Sequence, residues 1–123
     1  MNLYASREDY LEAILVLYKK FGSVRSVDIA RHMGVSKPSV CHAVNVLCDG
    51  GFLTKDDKHF ISLTEEGRKV AEKIYERHKF FKEQLISAGV RLNIAETEAC
   101  RIEHCISDES FLKLKEYREK GKG

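Results

Sequence analysis

Apolar residues recur every three or four positions along most of the chain, the spacing of helices that bury one face. The first such segment has four apolar residues on a common face: Tyr10, Ile14, Leu17 and Tyr18. Ser6 is a suitable N-cap in front of it, and Gly22 is a suitable stop behind it. The pattern therefore predicts a first helix from about Arg7 to Lys20.

Two shorter helices are predicted next, from Ser26 to Met33 and from Lys37 to about Asp49. Gly34 lies between them, where a tight turn needs backbone angles that glycine adopts easily. Ser36 can cap the later helix. Pro38 is tolerated there because the first turn of a helix needs no backbone donor.

A polar turn of residues 55–59 then joins two short strands, Phe52–Thr54 and Phe60–Ser62. Helix, glycine turn, helix and hairpin, in this order, are the layout of a winged helix-turn-helix. We therefore expect residues 1–63 to form a DNA-binding domain. An ordinary helical hairpin with solvated polar residues is the alternative.

Polar residues of two segments could contact DNA. In the third helix they lie away from the apolar face, and in the hairpin they lie near the tip. Such groups suit phosphates and base edges, although a solvated turn is an equally good interpretation of the tip. The candidate DNA-binding residues are Lys37, Ser39, His42, Asn45, Lys55 and Lys58.

The rest of the chain, residues 64–123, is predicted to be a helical domain. Thr64 caps a long helix that runs to about Ala88. Asn93 and Glu96 cap a fifth helix through about Ile106, and a last helix begins near Ser107. The fold class is thus mainly α, a winged helix-turn-helix followed by a helical domain.

Composition narrows the class of protein only a little. The net charge is +2, and the two predicted domains carry +1 each, so bulk charge does not point to nucleic acid. No apolar run approaches the ~20 residues that cross a bilayer. The start of the chain does not look like a secretion signal, so we expect a cytoplasmic protein with no membrane association. The four cysteines form no Cys-x-x-Cys pair and are interpreted as reduced thiols or as ligands.

A thiol, a carboxylate and an imidazole share one face of the fifth helix, since Cys100, Glu103 and His104 are spaced i, i+3 and i+4. This mixture of donors suits a divalent transition metal better than Mg²⁺ or Ca²⁺. Two other helices offer further donors. Asp9 and Glu12 lie one turn apart in the first, and His78 interrupts an apolar stripe in the fourth.

Each of these residues also has an ordinary structural role open to it. Asp9 can belong to the helix cap, and Glu12 can be solvated. His78 can be a hydrogen-bonded core histidine, and Cys100 a small buried apolar residue. Their combination on three helices favours a metal site.

The chain resembles a known family, the metal-dependent repressors typified by the diphtheria toxin repressor and the manganese transport regulator. Three segments carry the resemblance, and a serine at position 107 follows the last: Glu8-Asp9-Tyr10-Leu11-Glu12, Arg77-His78, and Glu98-Ala99-Cys100-Arg101-Ile102-Glu103-His104. The resemblance implies a homodimer that binds double-stranded operator DNA when Mn²⁺ or Fe²⁺ is bound, and that represses metal-uptake genes.

The resemblance also implies the metal ligands. They are Asp9, Glu12, His78, Cys100, Glu103 and His104. Cys100 matches a cysteine of the iron branch and replaces a glutamate of the manganese branch, so the chain looks like a hybrid. Lys82 stands where the iron branch has a carboxylate of its ancillary site, which speaks against such a site here.

Two other functions are consistent with parts of the sequence. One is a winged-helix regulator that responds to a small molecule or to cysteine oxidation. The other is a metallohydrolase, which the absence of a His-Glu-x-x-His pattern disfavours. We therefore expect a regulator and not an enzyme.

Overall fold

The computed structural model describes residues 6–121, which form six helices and one two-stranded antiparallel sheet. The predicted fold class, mainly α with a small wing, is confirmed. The elements in chain order are α1 (Arg7–Phe21), α2 (Ser26–Met33), α3 (Lys37–Asp49), β1 (Leu53–Lys55), β2 (Ile61–Leu63), α4 (Glu65–Ser87), α5 (Leu92–Ile102) and α6 (Asp108–Gly121).

The chain divides into two compact units, Met1–Lys73 and Ile74–Gly123, so that the border between them lies inside α4. The first unit contains the winged helix-turn-helix. The second contains the end of α4 and the two helices after it. The predicted domain boundary at residue 63 stays a prediction.

Helix α1 begins and ends as its capping residues dictate. The Ser6 hydroxyl accepts a hydrogen bond from the backbone N–H of Asp9 at 3.1 Å, and the Asp9 carboxylate accepts one from the Ser6 N–H at 2.9 Å. Gly22 closes the other end with a φ of 77°, a left-handed conformation that glycine adopts without strain. The helix therefore extends to Phe21, one residue beyond the predicted end.

The turn between α2 and α3 has the predicted glycine at its centre. Gly34 has a φ of 68°, and its N–H donates to the Ala30 carbonyl at 2.9 Å. Ser36 then caps α3 by accepting from the Ser39 N–H at 3.2 Å. The helices pack through residues that are at most 2% exposed: Leu11, Ile14, Val24, Ile29, Val40, Val44 and Leu47.

The wing pairs Leu53 with Leu63, and its strands lie one residue later than predicted. The Asp56 carboxylate explains the shift, because it accepts from the N–H groups of Lys58 and Phe60, each at 2.9 Å. These bonds make Asp56 the first residue of the turn and leave the residue before it in strand β1. The wing also joins the helices, since the N–H of Ile61 donates to the Val24 carbonyl at 2.8 Å.

Thr64 connects the wing to α4. Its hydroxyl accepts from the Gly67 N–H at 3.1 Å and donates to the Gly51 carbonyl at 2.7 Å, so the predicted cap is confirmed. Gly67 lies against the wing backbone, where a Cβ would stand 2.0 Å from the Phe52 carbonyl oxygen. Only glycine permits this approach.

Helix α5 differs from the prediction at both ends. It begins at Leu92 after Arg91, and Asn93 and Glu96 do not cap it. The Glu96 carboxylate is bound to two side chains of α4 and cannot serve as a cap. The helix ends at Ile102, four residues before the predicted end, and residues 103–105 form a turn.

Aromatic rings form the core of the second unit. Phe80 contacts Phe81 and Phe111 edge to face, with ring centroids 5.2 and 5.4 Å apart. Ala95 and Ala99 of α5 are fully buried. Helix α6 begins at the predicted position, where the Ser107 hydroxyl accepts from the Ser110 N–H at 3.1 Å.

Two absences hold for residues 6–121. No helix there has the length and the apolar character that crossing a bilayer requires. The four cysteines, which all lie within this range, form no disulfide.

Candidate metal centre and nucleic-acid interface

Helix α3 has one buried face and one polar face. Val40, Val44 and Leu47, spaced i, i+4 and i+7, are 0 to 2% exposed and hold the helix against the unit. The four candidate residues of the opposite face are all exposed: Lys37, Ser39, His42 and Asn45. This surface has the donors and acceptors that contact phosphates and base edges.

The first turn of α3 is fixed by its own side chains. The Ser36 hydroxyl donates to the Ser39 hydroxyl at 2.8 Å while it caps the helix. Ser39 is therefore held at the N-terminal end of α3, where the helix dipole is positive and favours an anion.

The wing presents two exposed lysines, Lys55 and Lys58. Lys58 lies in the turn that Asp56 holds, and His59 beside it takes a left-handed φ of 68°. The turn is thus a defined loop, and its tip presents cationic side chains to solvent.

Two acidic candidates of the metal site belong to the first unit. Asp9 and Glu12 are half-buried on neighbouring turns of α1. One Asp9 oxygen closes the helix cap, so the predicted capping role is confirmed. Burial, together with the adjacent Asp9 carboxylate, raises the pKa of Tyr10. That Asp9 and Glu12 bind metal stays a prediction.

The second unit brings three predicted donors together. Cys100, Glu103 and His104 each offer one ligand atom, and these atoms lie within 4.8 Å of one another. The prediction that all three lie within one helix is wrong, because Glu103 is the C-cap of α5 and His104 lies in the turn after it.

The buried guanidinium of Arg77 explains this turn. It donates to the Ile106 carbonyl at 2.6 Å and to the Glu103 carbonyl at 3.5 Å, and it pairs with Asp108. The Glu103 carbonyl at the end of α5 lacks a partner within the helix, and Arg77 binds it from outside together with the Ile106 carbonyl that follows the turn. The resemblance includes Arg77, but its structural role was not predicted.

Glu103 is the most unusual group of this cluster, since its side chain is 0% exposed. Its Oε2 lies 2.9 Å from Nδ1 of His78. Its Oε1 has no hydrogen-bond partner among the described residues, and Nε2 of His104 lies 3.4 Å away. A buried carboxylate oxygen without a partner is costly, and a bound cation would remove that cost. Thiol, carboxylate and imidazole donors fit a transition metal ion.

His78 lies between two carboxylates. Its Nδ1 faces Glu103, while its Nε2 lies 3.1 Å from Oε2 of Glu96. The other Glu96 oxygen, Oε1, lies 2.6 Å from the Lys82 ammonium. The hydrogen bond from Lys82 lowers the pKa of Glu96, and the same bond raises the pKa of Lys82.

Glu96 is the residue of this cluster that the sequence analysis missed. Its spacing carried a signal, since Glu96 lies one helical turn before Cys100, and Lys82 lies one turn after His78. From the sequence, Glu96 is assigned to a helix cap, and Lys82 is noted only as the replacement of a carboxylate of the iron branch's ancillary site. Their pairing depends on the packing of α4 against α5.

The first unit is a winged helix-turn-helix with an exposed polar face on α3. The second unit is helical and holds a cluster of thiol, carboxylate and imidazole groups. Together these features define the class of metal-responsive DNA-binding regulators. Two family profiles match the chain. "Iron dependent repressor, N-terminal DNA binding domain" matches residues 2–59, and "Iron dependent repressor, metal binding and dimerisation domain" matches residues 64–122. The chain belongs to this iron-dependent repressor family, whose members are transcriptional repressors and not enzymes.

Three similar proteins illustrate the relationship. The transcriptional regulator MntR of Escherichia coli O6:H1 is 35% identical over 104 residues, which are 85% of this chain and 67% of the relative. An uncharacterised helix-turn-helix regulator of Methanocaldococcus jannaschii is 33% identical over 119 residues, 95% of each chain. The structure of the manganese regulator SloR superposes with a TM-score of 0.84 at 26% identity, over 95% of this chain and 55% of SloR. The chain thus spans about half the length of SloR and of the solved IdeR of T. acidophilum.

Proposed function

We propose that the protein is a transcriptional repressor that binds operator DNA as a homodimer when Mn²⁺ or Fe²⁺ is bound, and that it controls metal-uptake genes. The observation that carries the proposal is the buried Glu103 carboxylate, whose Oε1 lacks a hydrogen-bond partner among the described residues. It lies beside the ligand atoms of Cys100 and His104. A divalent cation there would compensate a charge that the protein otherwise buries at a cost.

The proposed ligands come from both units of the chain. Cys100, Glu103, His104 and His78 lie in the second unit, where short distances between their ligand atoms support the assignment. Asp9 and Glu12 lie in the first unit and are assigned because they match ligand positions of the family. The bound ion would offset the negative charge of the carboxylates that ligate it.

The choice of metal follows from the donor set. A thiolate at Cys100 favours a softer ion such as Fe²⁺, while the carboxylates and imidazoles also suit Mn²⁺. The family to which the chain belongs is one of iron-dependent repressors, and the similar protein SloR is a manganese regulator. We propose that the protein responds to both ions.

This chain's own residues would transmit the signal to DNA. Asp9 and Glu12 lie in α1, which packs against the helix-turn-helix through Leu11 and Ile14. Holding α1 would fix the orientation of the recognition helices, which in a dimer must meet major grooves roughly 34 Å apart. If only the DNA-competent state holds metal tightly, metal and DNA each strengthen binding of the other.

The DNA contacts are assigned to the exposed polar residues of the first unit. Lys37, Ser39, His42 and Asn45 on α3 would face the major groove, and Lys55 and Lys58 on the wing would contact the backbone. Because DNA is the proposed partner, we place the protein in the cytoplasm.

The test measures DNA affinity of the full chain with chelator, Mn²⁺ or Fe²⁺ at one stated salt concentration, because phosphate contacts make affinity depend on salt. The DNA is first selected from a random duplex pool in the presence of Mn²⁺. We expect the metal to tighten binding by about 5- to 150-fold, the usual range of such coupling. Glu103→Gln should abolish the effect, and the matched control Glu98→Gln, an exposed carboxylate on the same helix, should keep it. Equal affinity with chelator and with metal would contradict the proposal.

A further inference from the structure

The ion pair between Lys82 and Glu96 lies beside the proposed metal centre and outside its proposed ligand set. We propose that Glu96, anchored by Lys82, is a positioning residue that fixes the tautomer of His78 and so presents Nδ1 of His78 to the metal. The inference rests on the proposed function, because it assigns roles to residues around the same centre.

The two ring nitrogens of His78 face different carboxylates. Nδ1 lies 2.9 Å from Glu103, which belongs to the donor cluster. Nε2 lies 3.1 Å from Glu96, on the other side of the ring. A neutral imidazole carries one N–H and one lone pair, so the nitrogen that keeps its hydrogen decides which nitrogen can bind a metal. A hydrogen on Nδ1 donates to Glu103, and a hydrogen on Nε2 donates to Glu96. When a cation takes the place of the Nδ1 hydrogen, Glu96 holds the hydrogen on Nε2 and the Nδ1 lone pair is directed toward the cluster.

Both oxygens of Glu96 have partners in this arrangement. Oε1 lies 2.6 Å from the Lys82 ammonium, and Oε2 binds the His78 ring. The ammonium supplies a positive charge at the position where a second ion would have to bind Glu96, and like charges repel. Glu96 is therefore an anchor for the histidine and not a further ligand.

Helical geometry makes the anchor rigid. His78 and Lys82 lie one turn apart on α4, so both project from the same face toward Glu96 on α5. The His78 side chain is 17% exposed, and water competes little for its ring nitrogens. Carboxylates that orient a ligand histidine in this way raise metal affinity by about 10- to 100-fold.

The first experiment determines the tautomer of His78 by histidine side-chain ¹H–¹⁵N NMR on the full chain loaded with diamagnetic Zn²⁺, at mildly alkaline pH. We expect the Nε2–H tautomer in the wild type and a mixture of tautomers in Glu96→Ala. Glu96→Gln keeps a hydrogen-bond acceptor and should restore the Nε2–H form. An Nδ1–H tautomer in the wild type would overturn the inference.

The second experiment measures Mn²⁺ affinity from the EPR signal of free Mn²⁺. Glu96→Ala and Lys82→Met should weaken binding by about 10- to 100-fold. Lys115→Met is the matched control, because Lys115 forms a similar pair with Glu76 at 2.7 Å in the same unit, and neither residue belongs to a donor cluster. Wild-type affinity in both Glu96→Ala and Lys82→Met would overturn the inference. A wild type that binds no Mn²⁺ would instead refute the proposed function, and the tautomer experiment would still decide the role of Glu96.

Discussion

Replacement of Glu103 by glutamine should separate the stability of the protein from its response to metal. Glutamine has nearly the shape of glutamate, so packing around this fully buried side chain is preserved. It removes the negative charge whose Oε1 has no hydrogen-bond partner among residues 6–121. Such an unsatisfied buried group costs about 1–3 kcal/mol. We therefore expect the metal-free Glu103→Gln variant to unfold at a temperature no lower than that of the wild type.

The metal response should change in the opposite direction. A ligand that binds only the folded state at one hundred times its Kd stabilises that state by about 2.7 kcal/mol. For a domain of this size, 1 kcal/mol corresponds to about 4 °C in Tm. Mn²⁺ should thus raise the Tm of the wild type by about 10 °C, and the same Mn²⁺ concentration should raise that of Glu103→Gln by less than about 2 °C.

The assay is scanning calorimetry with chelator and with Mn²⁺, at one protein concentration because a dimer's Tm depends on concentration. Glu98→Gln removes an exposed charge from the same helix and should keep the full shift. A Glu103→Gln variant that keeps the shift of the wild type would show that Glu103 does not bind the metal. A strongly destabilised metal-free variant would show that the buried charge stabilises the protein, which contradicts the expectation.

Three further predictions concern other parts of the chain. Gly67→Ala should destabilise the protein by roughly 2 kcal/mol or more in urea unfolding, the cost of overpacking, because the new Cβ would meet the Phe52 carbonyl at 2.0 Å. Helix propensity alone predicts that the same change stabilises the protein by about 1 kcal/mol. A stabilised variant would therefore contradict the structure. Arg77→Met should lower the free energy of unfolding by about 3 kcal/mol, the value of two hydrogen bonds to a charged group, because the carbonyls of Glu103 and Ile106 lose their donor. A loss of less than about 1 kcal/mol would show that water replaces the guanidinium. Lys37→Ala should weaken DNA binding almost equally for all sequences and reduce the slope of log affinity against log salt by about 1, and an unchanged slope would remove Lys37 from the phosphate contacts.

Local sequence determined the elements of the first unit with little error. Ser6, Gly22, Gly34 and Ser36 set helix ends through hydrogen bonds or backbone angles that involve residues no more than four positions away. The periodicity of apolar residues identified the face of α3 that is buried. The wing strands were displaced by one residue because the Asp56 side chain closes its turn in a way that propensity does not specify.

The sequence also determined which residue types could bind a metal, but the tertiary structure decided how they are arranged. The end of α5 depends on Arg77, which lies 26 residues before the carbonyl of Glu103 that it binds. The pairing of Lys82 with Glu96 depends on two helices packing side by side. Hydrogen bonds between distant parts of a chain have no local periodicity, so only the folded structure shows that one carboxylate is left buried and another is held by a lysine.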